Sequence, residues 1–247
     1  MKIFIDTANL ADIEAALRRG FIDGITTNPS LLAKEPKAKF EDHIKKIVEL
    51  ARELKNGVHL SVEVFSREPD EIIRQAKYFI KEFGYPNLSI KVQVGWNELE
   101  TIRRLSEEGV SVNCTACMTP TQAVMAAAAG AKYVSLFWGR IRDAGDPEKS
   151  KTLWGALSKL REEKALEDSD SDPAAVVRQT RTLLDQRGAA AEIITGSMRS
   201  VVDVKQAGLA GAHIVTVPPK FFPAMISHPK TEEVVDQFLK DFEGWLK

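Results

Sequence analysis

Cysteine is scarce in this chain, with two among 247 residues. That excludes a disulfide framework and fits a reducing cytosol, so the expected setting is cytoplasmic. Histidine is nearly as rare, and the four present (His43, His59, His213, His228) show no ligand spacing, which argues against a His-based metal site. There is no charge excess either: 34 basic side chains face 35 acidic ones, for a net charge of −1. Such a balance supplies no basic field for nucleic acid or an anionic membrane. No apolar run reaches the roughly 18 residues of a membrane span. The opening MKIFIDTAN enters a strand pattern at once, without the features of a signal peptide. Glycine and proline are modest, at 15 and 11, against 44% hydrophobic residues, which is a globular composition.

What is present is a rhythm. Short apolar runs at Lys2–Asp6, Ile22–Thr26, His59–Phe65, Leu88–Gln93, Val110–Thr115, Lys132–Phe137, Glu192–Ser197 and His213–Val217 read as strands. Between them, Leu10–Arg19, Phe40–Leu54, Asp70–Phe83 and Glu98–Glu108 carry apolar residues at helical spacing. EEGVSVN, AAGAKYVS and LAGAHIVT each read as a helix end, a glycine and a new strand. Strands alternating with helices over this length predict an α/β protein, a single (β/α)8 TIM barrel spanning 1–247, with a doubly wound open sheet as the alternative. One interval breaks the rhythm. Roughly 45 residues follow FWGRIR before the next strand, and the acidic, Ser-rich EDSDSDP within them reads as a solvated loop between helices at Thr152–Lys164 and Pro173–Gln186. The segment 141–187 is thus expected as an insertion after the sixth strand, and 230–247 as a C-terminal helix.

Alternation along the strands points to function. On the fourth strand Leu88, Ile90 and Val92 take one face, and Ser89, Lys91 and Gln93 the other. The third divides Val62 and Val64 from Ser61, Glu63 and Phe65, and the fifth divides Val110, Val112 and Cys114 from Ser111, Asn113 and Thr115. Buried lysine and glutamate are costly unless paired, so strands that present them together have a use for them. In a barrel these faces converge on one axis, and chemistry belongs at the C-terminal strand ends. Lys91, flanked by apolar residues, is the leading candidate. Desolvation should lower its amine pKa, as an imine-forming lysine requires, the competing reading being a structural lysine paired with Glu63 or Asp6. Asp6, Asn28, Glu63, Asn113 and Thr115 add carboxylates and hydroxyl or amide donors, which together suit proton transfer at a carbonyl. On the far side, Arg140 after the sixth strand and GSMR (Gly196–Arg199) after the seventh suit a phosphate or another tetrahedral anion. Cys114 and Cys117 form a C-x-x-C, but Cys114 lies within a strand rather than at a helix start, and no further zinc ligands are evident.

FIDTANL, GITTNPSLLAKE, SVEV, the strand-four lysine, NCTACMTPTQA, YVSLFWGRI, EIITGSMR and GAHIVTVPP resemble, in that order, the small-subunit transaldolases. Their near relatives are the fructose-6-phosphate aldolases. The resemblance covers nearly the whole chain except Asp146–Pro173. It implies a (β/α)8 barrel with class I aldolase chemistry that needs no metal or other cofactor, moving a dihydroxyacetone unit from a ketose phosphate to an aldose phosphate. Residue by residue, it implies Lys91 as Schiff-base nucleophile, Asp6 as acid/base for carbon–carbon cleavage, and Glu63 with Thr115 as holders of the water at the imine. Asn28, Asn113 and Ser135 would bind the dihydroxyacetone hydroxyls, and Arg140, Ser197 and Arg199 the phosphate. The aldolase relatives typically carry Gln at the position matching Glu63 and Tyr at that matching Phe137, so this pair points to transfer over simple cleavage. The family's usual Ile-Pro after the lysine is here Val92-Gln93, Leu136 replaces a common Pro, and Cys117-Met118 replace larger apolar residues. These departures leave open the acceptor and the anion, a sulfonated fructose being one alternative donor and fructose-6-phosphate aldolase an alternative activity. A catalytically silent sugar-phosphate-binding barrel is the non-enzyme alternative. The expected partners are a small anionic sugar and further copies of the chain in a homo-oligomer.

Overall fold

The computed structural model describes residues 1–245. Eight parallel strands close into a barrel in simple sequence order: β1 (Lys2–Asp6), β2 (Gly24–Thr26), β3 (His59–Glu63), β4 (Leu88–Gln93), β5 (Val112–Cys117), β6 (Tyr133–Phe137), β7 (Glu192–Gly196) and β8 (Ile214–Val217), which pairs back onto β1. The open sheet is thereby excluded. Helices α1 (Leu10–Arg18), α2 (Pro29–Leu32), α3 (Phe40–Leu54), α4 (Pro69–Phe83), α5 (Trp96–Glu107) and α6 (Pro120–Ala128) fill the first five crossovers. The 141–187 region holds most of α7 (Trp138–Ala144), then α8 (Trp154–Glu162), a single helical turn at Asp168–Ser171, and α9 (Pro173–Arg187). After β7 come α10 (Val201–Leu209), then, beyond β8, α11 (Phe222–Ile226) and α12 (Pro229–Phe242). The expected C-terminal helix at 230–247 matches α12 and the turn at Glu243–Trp245, its last two positions lying outside the described residues. Among the described residues no helix is long and apolar enough to cross a membrane.

Local chemistry sets the element ends. Asn28 caps α2 through its side chain, accepting from Leu31 N at 3.0 Å with Pro29 at the first helical position. Thr119 and Gln122 form a capping box that starts α6 where β5 ends. Gly84 closes α4 at φ 49°, a left-handed conformation that costs glycine nothing. The expected third strand ends early, at Glu63. The Phe65 N–H turns to the Gln75 side chain at 2.7 Å, and its ring packs on Phe40 at 4.9 Å, so it leaves both the ladder and the inward face. The fifth strand runs further than alternation suggests. Ala116 at φ 63° carries a bulge, visible as a register shift between Cys114 and Cys117.

The barrel has two packed regions. Between sheet and helices lies a continuous layer of Ile, Val, Leu and Ala, including Val62, Ile90, Val92, Val112 and Val134, all essentially inaccessible. Inside the barrel, Phe4, Tyr133, Ile194 and Ile214 plug the N-terminal end, with His59 stacked on Phe4 at 5.1 Å and edge-on to Tyr133 at 4.7 Å. Burial drops the His59 pKa to about 3, which keeps the ring neutral in this plug. Above it the inward faces turn polar. Alternation along β3, β4 and β5 thus places Glu63, Lys91 and Thr115 inside, as the sequence predicts, and these three open onto the C-terminal mouth.

Candidate active site

Strand register fixes the centre of the site. Glu63 pairs across β3–β4 with Lys91, which pairs across β4–β5 with Asn113. Neighbouring inward residues on parallel strands share a level, so the lysine and the carboxylate meet: Lys91 Nζ lies 2.8 Å from Glu63 Oε2. It also donates to the carbonyl of Thr27 at 3.0 Å. With the lysine side chain only 6% exposed and the glutamate 21%, this is an ion pair withdrawn from bulk water. The desolvated lysine expected from the sequence is thus also the paired one: its carboxylate partner is built into the neighbouring strand β3.

Asp6 ends β1 on the same cavity. Its Oδ1 accepts from Thr26 Oγ1 at 2.7 Å, and that hydroxyl in turn touches Thr216 Oγ1 at 2.6 Å. Burial pushes the Asp6 carboxyl above its ordinary range, against the lowering pull of the Thr26 hydrogen bond and of the Lys91 charge. Thr115 offers the opposite situation. Its hydroxyl is buried and has no hydrogen-bond partner among the described residues. A buried hydroxyl is stable there only if water or a ligand satisfies it.

The cavity above these groups holds about 520 Å³. Asp6, Asn28, Glu63, Lys91, Thr115, Ser135, Phe137, Arg140 and Ser197 line it, which brings together nine of the eleven residues that the sequence singles out. Asn28 spends its carbonyl oxygen on capping α2, which leaves its amide donors for the cavity. The other two stand elsewhere. Asn113 is fully buried beneath the floor, donating to Ser61 Oγ at 3.1 Å and accepting from Ser135 Oγ at 2.7 Å, so it orients Ser135. Arg199 does not line the cavity. Its guanidinium pairs with Asp143 on α7, and its Nε lies where a Cβ on Gly139 would meet it at 2.5 Å. A Cβ there would also meet the Ser197 carbonyl at 2.5 Å, the same carbonyl that accepts from Gly139 N at 3.2 Å. Glycine at 139 is what lets the β6 and β7 turns close on one another.

Sequence reasoning missed four contributors. Thr26 and Thr216 build the hydroxyl pair behind Asp6, Lys34 lines the cavity beyond α2, and Asp203 organises the β7 turn. Buried Asp203 accepts from Trp138 Nε1 at 3.2 Å, Arg142 Nη2 at 2.5 Å and the Arg199 N–H at 3.0 Å. Burial pushes its carboxyl up, but the hydrogen bonds, Arg142 foremost, outweigh it and hold Asp203 below the usual range. The S-x-x-D run that starts α10 was the legible signal for it. The inserted segment contributes none of its residues 141–187 to the cavity wall and meets the β7 turn beside it through Arg142, paired with Asp203, and Asp143, paired with Arg199. Cys114 and Cys117 are both buried, with sulfurs 3.9 Å apart, because the bulge turns Cys117 to the helix side that Cys114 already faces. Burial and the neighbouring thiol push Cys117 well up, the hydrogen bond to Cys114 acting most strongly, which suits inert thiols.

A lysine beside a carboxylate, a second carboxylate across the cavity, and a buried, unsatisfied hydroxyl together equip a site for addition to a carbonyl and for proton transfer around it. Comparison with known proteins bears on which carbonyl chemistry this is. The family model described as Transaldolase/Fructose-6-phosphate aldolase matches residues 3–245, running through Asp146–Pro173, which the motifs alone set apart. "Probable transaldolase 1" of Listeria monocytogenes serotype 4b is 37% identical over 247 residues, covering the whole of both chains. "Probable transaldolase 2" of Listeria monocytogenes serovar 1/2a is 34% identical over 245 residues, covering 99% of this chain and 97% of that one. "Probable transaldolase" of Geobacter sulfurreducens is 37% identical over 244 residues, covering 99% of each. With its closed eight-stranded barrel, its inward lysine and a match over nearly its full length, the chain belongs to the transaldolase/fructose-6-phosphate aldolase family.

Proposed function

We propose that this protein is a Schiff-base transaldolase that moves a dihydroxyacetone unit from a ketose phosphate of the fructose 6-phosphate type to an aldose phosphate. The observation that carries the reading is the buried Lys91–Glu63 pair on the cavity floor, with Asp6 across the same cavity. Glu63 takes a proton from the Lys91 ammonium, and the neutral amine adds to the ketose carbonyl at C2. Loss of water from the carbinolamine gives the iminium. Asp6 then removes the proton of the C4 hydroxyl, the C3–C4 bond breaks, and the aldose phosphate leaves while its electron pair stays as the enamine. An incoming aldehyde reverses the sequence: C3 attacks it, and Asp6 returns its proton to the new alkoxide. The iminium is finally hydrolysed by water held between Glu63 and Thr115, whose free hydroxyl supports this role. Ser135, oriented through Asn113, and Asn28 hold the hydroxyls of the dihydroxyacetone unit. Arg140 and Ser197 take the anion.

Transfer is favoured over cleavage because Phe137 on the cavity wall has no hydroxyl with which to hold water for protonating the enamine carbon. Incubation with fructose 6-phosphate, borohydride reduction and intact-mass measurement test the imine. A permanent adduct on Lys91 supports the enzyme, and unchanged mass with demonstrated binding makes the chain a silent sugar-phosphate module. A donor and acceptor screen that includes sulfonated fructose then fixes the anion. We further propose that residues 1–247 act as one domain in the cytoplasm, in a homo-oligomer. Helix α12 supports the last point: Val234, Val235, Phe238, Leu239 and Phe242 share one face at helical spacing, and all are exposed. Light scattering on wild type and Phe238→Asp tests it, and a monomeric wild type removes the oligomer.

A further inference from the structure

We infer that His59, at the N-terminal end of the barrel, is a positioning residue for the active site: through Ser61 and Asn113 it fixes Ser135 as a hydrogen-bond acceptor for a hydroxyl of the bound ketose. The four side chains stand on the inward faces of β3, β5 and β6 and form one chain through the barrel interior. His59 Nε2 lies 2.6 Å from Ser61 Oγ, Asn113 Nδ2 donates to Ser61 Oγ at 3.1 Å, and Ser135 Oγ donates to Asn113 Oδ1 at 2.7 Å. One end of the chain lines a cavity of about 280 Å³ at the N-terminal end of the barrel, and the other lines the active-site cavity. Ser61 and Asn113 between them are fully buried. The neighbouring hydroxyls of Ser89 and Ser111 behave differently. They satisfy each other at 2.7 Å, and their contact goes no further.

Proton counting gives the chain a direction. Burial, together with the charges of Lys132 and Lys2, keeps the His59 ring neutral, so it has one N–H and one bare nitrogen. The Asn113 amide N–H occupies a lone pair of Ser61, and the Ser61 hydroxyl proton then needs an acceptor of its own. Among the described residues the other partner of that hydroxyl is His59 Nε2, which is therefore the bare nitrogen, with the ring proton on Nδ1. Every donation then runs from the active site toward His59. Ser135 has given its proton to Asn113, and it presents only lone pairs to the cavity. A substrate hydroxyl meets an acceptor there. Without an acceptor at position 59, the Ser61 hydroxyl can donate only to the Asn113 amide, and a buried hydroxyl left without a partner is costly. The amide then turns over, its NH2 faces Ser135, and the Ser135 proton faces the substrate. Phe4, stacked on the imidazole at 5.1 Å, and Tyr133, edge-on at 4.7 Å, keep Nε2 aimed at Ser61. An apolar side chain at this position would fill the plug equally well, but it would reverse the chain.

This role deepens the proposed function and rests on it only for what Ser135 holds, and the two are tested separately. Long-range proton–nitrogen NMR spectra of protein with isotope-labelled histidine, His59 being assigned by its loss in His59→Phe, read the tautomer without any substrate. The ring proton should be on Nδ1, and a proton on Nε2 overturns the proposal. Borohydride trapping then reads the effect at the site. With limiting dihydroxyacetone, the rate of adduct formation on Lys91 should fall about 3- to 10-fold in His59→Phe, the scale of one neutral hydrogen bond. It should recover in His59→Gln, whose amide oxygen can take the place of Nε2. With acetone, which has no hydroxyl for Ser135, all three proteins should react alike. KM for fructose 6-phosphate should rise in His59→Phe with kcat nearly unchanged, because the contact is made equally before and during the reaction. The melting temperature should hold, since phenylalanine keeps the stacked plug. Equal falls with dihydroxyacetone and acetone would make His59 merely structural and overturn the proposal. A fall that His59→Gln does not restore would overturn it as well. If the wild type traps neither ketone, the imine reading fails on its own. The proposal then stands if His59→Phe weakens calorimetric binding of fructose 6-phosphate by the same factor, and falls if it does not.

Discussion

Ser197 is held in a conformation that a serine resists, and replacing it should make the protein more stable and less able to bind its substrate. It follows β7 at φ 60°, lines the cavity, and its hydroxyl makes no hydrogen bond among the described residues. The left-handed region costs a residue with a Cβ roughly 1–2 kcal/mol, and glycine occupies it freely at an entropic cost of about 0.5–1 kcal/mol. Ser197→Gly should therefore stabilise the fold by about 0.5–1 kcal/mol. For a chain of this size that corresponds to a rise of about 1–4 °C in Tm. The same change removes a donor to the anion. A hydrogen bond to a charged group contributes about 1.5–3 kcal/mol, so KM for a phosphorylated ketose should rise roughly 10- to 150-fold. Ser197→Ala separates the two effects, since it loses the hydroxyl and keeps the backbone: it should share the rise in KM without the gain in Tm. Thermal melts and steady-state kinetics with fructose 6-phosphate and fructose measure both. The reasoning is refuted if Ser197→Gly melts no higher than Ser197→Ala, or if KM for fructose rises as much as that for the phosphate. Strain retained at a ligand-lining residue is the expected mark of a position selected for contact rather than for stability.

Lys91→Ala and Lys91→Arg should both fall below about a thousandth of wild-type turnover, because neither can supply a neutral amine. Single-turnover assays check this, and more activity in either contradicts a covalent route. Asp6→Asn should be inactive yet more stable than wild type at neutral pH. A carboxyl raised by burial contributes stability that is full below its unfolded value of 3.8 and lost as pH rises through the folded one, so melts across pH should show the gap closing on acidification. Phe137→Tyr should raise ketose cleavage without acceptor, by at most the 10²–10⁴ scale (about that much is typical of acid–base help). Release of dihydroxyacetone by the wild type as fast as transfer sinks the transferase reading. Arg140→Gln should raise KM for phosphorylated ketose far more than Arg199→Gln, whose half-exposed pair with Asp143 contributes only about 0–1 kcal/mol. Equal effects return Arg199 to the anion site.

Much of this was legible because strand parity is a rigid rule. A polar residue every second position on β3, β4 and β5 could face only the axis once the helices claimed the other side, so Lys91, Glu63 and Thr115 were legible together. Asp6 followed from its place at the end of a strand. What parity does not carry is partnership. Arg199 and Asp143 are 56 residues apart, and Asn113 and Ser61 are 52 apart, so no spacing in the chain announces that each pair meets. Those contacts move Arg199 off the cavity wall and, with Ser135 at the oxygen, occupy both ends of the Asn113 amide. Lys34 was invisible for another reason: it follows a helix of four residues, too short for any period to assign it a face. Phe65 misled because alternation continues in the letters after the ladder has ended, the Gln75 side chain having taken its N–H. The bulge at Ala116 likewise has no signature in N-C-T-A-C, and it brings Cys117 to the helix side where parity already puts Cys114.

The arrangement at Lys91 makes little sense as a stabilising device, and that is the strongest link between fold and chemistry. Withdrawing an ammonium and a carboxylate from water costs several kcal/mol for each ion, and their mutual attraction offsets this only when further hydrogen bonds complete the site. Lys91 has a second partner in the Thr27 carbonyl, but Asp6, on the same cavity, is pushed up by burial instead of being held down, and Thr115 has no partner among the described residues. A barrel selected for stability would fill this level with branched apolar side chains, as it does with Ile194 and Ile214 below. Here the level that opens onto the C-terminal mouth keeps one paired charge, one poorly solvated acid and one unsatisfied hydroxyl. Each is a defect by the standards of a core. Together they leave a proton acceptor 2.8 Å from the only lysine on the floor, a base across the cavity and a hydroxyl free to hold a water between them. The apolar plug beneath and the closed ladder around them supply the rigidity that lets such a level persist.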